Sequence, residues 1–214
     1  MNRQPIDHSQ RNTRALLILV IALGLIGLAT QFCHPHMPRG RAAMAQAVSN
    51  GRQIKLILDS FAMDNGGHYP NLKSADFYGL PAPESSNDYF RQLFAYDFTS
   101  DEQIFWIKDS QLCNKQKPDN VTTGPRNEFS LTETLRPGDN GWAYILHQTK
   151  VDNPSRPLLV DSPPTASGLT FDPDLWDKKT IVLRIDGSAT THRLSPDNKL
   201  LDPENNELLT PASQ

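Results

Sequence analysis

RAAMAQAVSNGRQIKLILDSFAM, residues 41–63, is the stretch whose periodicity decides the fold. Met44, Ala47, Gly51, Ile54, Leu58 and Phe61 recur at alternating steps of three and four, which places them on one face of a helix. Val48 and Ile57 widen that stripe, while Arg52, Gln53, Lys55, Asp59 and Ser60 fall largely outside it. A helix with one such face must bury it, and a sheet is the expected partner. Gly51 inside the stripe permits close backbone approach. Asp64-Asn65-Gly66-Gly67 supplies residues suited to left-handed angles and should end the helix, and His68-Tyr69-Pro70 leads out extended.

Downstream, the pattern changes to short runs of strand character. Residues 88–98 (DYFRQLFAYDF) read as a second helix capped by Ser86 or Asn87, with Phe90, Leu93 and Phe94 inward. Residues 71–86 read as loop. Residues 103–107 (QIFWI), 141–146 (GWAYIL), 157–161 (PLLVD), 180–185 (TIVLRI) and 188–194 read as strands, with Trp106 and Trp142 in the core. Asp186-Gly187 between the last two is a strong hairpin signal. Helices followed by strands with short connections give an α+β domain with a small antiparallel sheet.

Upstream, residues 15–32 (ALLILVIALGLIGLATQF) carry no charge. As a helix they span roughly 27 Å, close to the hydrocarbon thickness of a bilayer. The run reads as an uncleaved single-pass transmembrane helix in contact with membrane lipids. A cleaved export signal, with small residues at Gly27 and Ala29, is the alternative. The chain then divides into a cytoplasmic N-terminus at 1–14, the anchor at 15–32, a Pro-rich linker at 33–40, an extracytoplasmic domain at 41–195 and a fraying tail at 196–214. The expected location is the cytoplasmic (inner) membrane.

The 214 residues have a net charge of −3, which gives no electrostatic reason to expect a nucleic-acid partner. Two cysteines, Cys33 and Cys113, do not make a disulfide scaffold. No Gly-x-Ser-x-Gly elbow, phosphate loop, His-Glu-x-x-His or dinucleotide fingerprint occurs, so no catalytic or cofactor-binding residue is assigned and no enzyme is expected. Weaker constellations remain. Cys33-His34-Pro35-His36 has metal-ligand chemistry but reads as linker. Cys113 with His147 or His192 has the elements of a nucleophile pair and reads as a structural or free thiol. Asp172, Asp174 and Asp177 form one acidic loop, and Asp97, Asp101 and Glu102 another, without EF-hand spacing. Tyr69, Tyr78, Phe105 and Trp176 are candidate recognition aromatics, and His68 a loop-packing residue.

The transmembrane run, the helix ending Met63-Asp64-Asn65-Gly66-Gly67-His68-Tyr69-Pro70, the block Asp139-Asn140-Gly141-Trp142-Ala143-Tyr144 and the closing Val182–Ser188 turn together resemble type IV pilin-like proteins. The resemblance is nearest to the G-type pseudopilins of type II secretion. It implies a pilin-like domain, lateral partners among other pilin-like or secretion-system subunits, and calcium as the one cation to consider, with no ligand assigned. The junction departs from that pattern. Asn12-Thr13-Arg14-Ala15 stands where pilin precursors carry Gly-Phe, and residues 15–32 contain no Glu. The departure implies a chain that holds its domain at the membrane rather than one that builds a filament.

Overall fold

The computed structural model describes residues 39–120, 130, 133–161 and 171–200. The apolar run at 15–32, the Cys33-His34-His36 cluster and residues 201–214 lie outside them. Among the described residues no helix is long and apolar enough to cross a membrane.

Helix α1, Arg39–Asp64, follows the three-four spacing closely. Its start overruns the linker expected through residue 40. Ala47, Ile54, Leu58, Phe61 and Ala62 are buried in one core with Trp142, Tyr144, Leu159, Ile181 and Leu183 of the sheet. Gly51 brings the helix backbone against the Trp142 ring: a Cβ there would stand 2.8 Å from Cη2.

Residues 71–86, expected as loop, contain a short helix α2, Leu72–Phe77, closed by a reciprocal capping box between Asn71 and Ser74. Helix α3 spans Ser86–Ala95 and its N-cap is Ser85, not Ser86 or Asn87, with Asp88 completing the box. That shift frees Ser86 to turn inward, where its Oγ accepts the Tyr144 N–H at 3.1 Å.

The strand expected over 103–107 does not form. Asp101 caps a 3-10 turn at Glu102–Ile104 by accepting the Gln103 N–H at 2.9 Å. The Phe105 N–H then bonds the Glu102 carbonyl, and the chain keeps turning. Local capping outweighs the β preference of the aromatic run. Phe105 and Ile107 still reach the core, where Phe105 contacts Phe90 and Phe94.

Four strands therefore make the sheet: β1 Trp142–Tyr144, β2 Pro157–Asp161, β3 Lys179–Arg184 and β4 Ala189–Arg193, antiparallel and in chain order. The Asp186-Gly187 turn is present as a three-residue loop, with Gly187 left-handed (φ 81) and Arg184 N–H bonded to the Ser188 carbonyl. One face of the sheet meets α1. The other buries Ala143, Val160 and Val182 under Phe171, Leu194 and Leu200. The packed chain thus continues beyond Ser195, where a fraying tail was expected, to Leu200.

Candidate functional site

The sequence candidates for chemistry are dispersed by the fold. Cys113 is partly buried, receives the Ile107 N–H at 3.5 Å and has its thiol pushed up to about 11 by burial. His147 is exposed in a left-handed turn, and His192 Nε2 lies against Thr190 Oγ1 (2.8 Å) and Arg184 Nη2 (3.1 Å). Neither histidine is a hydrogen-bond partner of the thiol.

The acidic loops are taken up locally. Asp172 Oδ1 accepts the Asp174 N–H at 2.9 Å, Asp177 stands exposed with φ 55, and Asp97 ends α3 with φ 59. Asp101 is the cap described above, while Glu102 turns inward. Among the described residues no three Asp, Glu, His or Cys side chains converge as metal ligands.

Three of the four recognition aromatics are buried: Tyr69, Phe105 and Trp176. Tyr69 donates its hydroxyl to Asp59 Oδ1 at 3.1 Å; burial first, then that carboxylate, holds the phenol well above its usual range. His68, exposed, pairs in an isolated antiparallel bridge with Thr149.

Two carboxylates prove buried: Asp161, read in the sequence only as the end of a strand, and Glu102, read as part of an acidic loop. Asp161, at the end of β2, accepts from Thr180 Oγ1 and Ile181 N–H on Oδ1, both at 2.6 Å, and from Trp176 Nε1 on Oδ2. Burial pushes its pKa up to about 6 against the pull of those bonds. Glu102 accepts the Leu135 N–H and is likewise raised, by burial first and the Asp139 charge second. Both carboxylates are engaged by donors of their own fold, which makes them structural anchors.

Other features lie at the surface. On α1, the face opposite the core carries Ala45, Ser49, Arg52, Leu56, Ser60 and Met63, all exposed. Leu56 and Met63, at 67% and 71% exposure, are apolar side chains two turns apart with no core to fill. Their seven-residue spacing off the main stripe was the available signal. Beside the helix C-terminus, Phe77 (78% exposed) and Tyr78 (40%) head a chain of rings through Tyr96 to Phe61 and Phe98. Tyr78 is thus the one recognition aromatic left at the surface. The ladder ties the exposed rings to the buried Phe61. The arrangement offers a surface for side-by-side protein contact. Compared with protein-family models, with curated proteins and with solved structures, the chain matches none.

Proposed function

We propose that this protein is a membrane-anchored, pseudopilin-like structural subunit of a type II secretion or type IV pilus-like assembly, and not an enzyme. The observation that carries the reading is α1: a 26-residue helix that packs one stripe on a four-stranded antiparallel sheet and leaves Leu56 and Met63 outward. A helix laid against a sheet in this order is the architecture that the resemblance implies for a pilin-like domain. Its outer face is a surface on which neighbouring subunits can pack laterally. Residues 15–32 would hold the domain at the outer side of the cytoplasmic membrane.

A second reading is favoured by the sequence junction. With no Gly-Phe site and no Glu in the anchor, the chain has the makings of a non-polymerising receptor or adhesion module on the same scaffold. Single cysteines placed at Leu56 and Met63 in a Cys33→Ser chain distinguish the two. A subunit forms membrane crosslinks to pilin-like partners through both positions, and Leu56→Asp abolishes the crosslink through position 63. A receptor forms none. Mass spectrometry of the mature N-terminus tests the anchor: a chain beginning at residue 30 removes both readings and leaves an exported soluble protein, a hydrolase among them.

A further inference from the structure

The two edges of the sheet are finished differently. On β1, the outward N–H of Trp142 donates to Asn140 Oδ1, its carbonyl accepts from Asn140 Nδ2, both at 2.8 Å, and the Tyr144 N–H donates to Ser86 Oγ. That edge is closed by side chains. On β4, the Arg184 N–H bonds the Ser188 carbonyl and the Leu194 N–H bonds the Lys178 carbonyl. With the register between them, Ser188, Thr190, His192 and Leu194 face β3. The N–H and C=O groups of Ala189, Thr191 and Arg193 therefore point away from the sheet, and none has a hydrogen-bond partner among the described residues. β4 contains no proline and no bulge to blunt pairing.

The same edge ends in a depression of about 320 Å³ lined by Asp177, Lys178, Arg193, Leu194, Ser195, Pro196 and Asn198. Asp177, Lys178 and Asn198 all have left-handed backbone (φ 55, 58 and 58). Left-handed backbone is rare for a residue such as lysine and collects at functional sites. Among the described residues, neither Lys178 nor Arg193 has a carboxylate at ion-pair distance. Among the described residues, the depression so sets two cations without an ion pair beside the carboxylate of Asp177.

We propose that β4 is the docking edge for an extended, acidic segment of a partner protein. The segment adds as a fifth strand along Ala189, Thr191 and Arg193 and sets a carboxylate between Lys178 and Arg193. The open edge suits backbone donors and acceptors in extended register, and the two cations suit an anion. An acidic strand supplies both, since alternate side chains of an added strand reach pockets beside the edge. A free phosphate would leave the edge unpaired, and an apolar strand would leave the cations unpaired. Arg193 belongs to both features, which makes them one surface. The inference rests on the sheet alone and stands whether or not the protein is a pilin-like subunit.

The test uses the full chain in detergent micelles and a peptide of alternating valine and glutamate, about eight residues long to span the strand. Amide hydrogen exchange is read at residues 189, 191 and 193. Binding is expected to slow exchange at these three amides, and Arg193→Ala or Lys178→Ala to weaken it by about tenfold, with Arg193→Lys retaining most affinity. The same peptide with lysine for glutamate, or with alternate amides N-methylated, is expected not to bind. Equal binding of the lysine peptide, or no protection at saturating peptide, overturns the proposal. So does protection of the three amides in the free chain: concentration-independent protection means that the chain fills its own edge, and concentration-dependent protection means that a second copy does.

Discussion

The carboxylate of Glu102 accepts the backbone N–H of Leu135, a buried leucine held at φ 45°. The carbonyl of the same residue is gripped from α3, by Asn87 Nδ2 at 2.8 Å and Arg91 Nη2 at 3.1 Å. A left-handed leucine persists only where its surroundings over-determine it. Here three side chains from two elements do so, and they fix the loop that delivers Asn140 and Trp142 to the sheet.

Glu102→Ala leaves the Leu135 N–H buried without an acceptor, and should destabilise the fold by about 1–3 kcal/mol. Glu102→Gln keeps one acceptor oxygen and should lose less. Urea unfolding of the two variants checks the order; an alanine variant as stable as the parent would show that the clamp is idle.

Asp161 makes stability depend on pH in an unusual direction. Its carboxyl is raised by burial from the usual 3.8 to about 6. Between those values the folded chain binds more protons than the unfolded one, so this group stabilises fully below 3.8 and its contribution is lost as pH rises through 6. Two units correspond to about 3 kcal/mol. The difference in unfolding free energy between the parent and Asp161→Asn, measured from pH 3.5 to 7.5, should fall by an amount of this order. A flat difference would remove the assignment.

Burial also governs Cys113. With its thiol near 11 instead of 9, the thiolate fraction at pH 8 is about a hundredfold below that of a free cysteine. In a Cys33→Ser chain, a thiol reagent should therefore react slowly in the native state and rapidly in denaturant. Labelling at the rate of a model thiol would show Cys113 to be an exposed, usable nucleophile.

Much of this architecture was legible because it is local. The stripe from Met44 to Phe61 gave α1, and Asp186-Gly187 gave the last hairpin. What stayed hidden depends on partners distant in the chain. Nothing near Gln103-Ile104-Phe105 announces that Glu102 will reach Leu135, yet that inward turn helps make the segment a bend rather than a strand. Asp161 reads as the polar end of a short strand until Trp176 and Thr180 close around it. Ser85 and Ser86 show the smallest margin: a cap placed one residue away conceals that Ser86 seals the β1 edge. The outward Leu56 and Met63 were visible as residues, but their exposure follows only once the other face of α1 is known to be buried.

Gly51 tests whether helix and sheet are locked together, as a defined lateral surface on α1 requires. In an isolated helix, alanine is favoured over glycine by about 1 kcal/mol. Here a Cβ would lie 2.8 Å from Trp142 Cη2 and 3.1 Å from Cζ2, and the ring is fully buried. Overpacking of this kind costs about 1–3 kcal/mol. Gly51→Ala should therefore be destabilising despite its helix propensity. Trp142→Phe removes the atoms that clash, so the double variant should be more stable than the sum of the single changes, with a coupling of about 1 kcal/mol or more. Thermal or urea unfolding of the four proteins measures it. If Gly51→Ala instead stabilises, α1 stands off from the sheet, and Leu56 and Met63 no longer define a fixed surface for a neighbour.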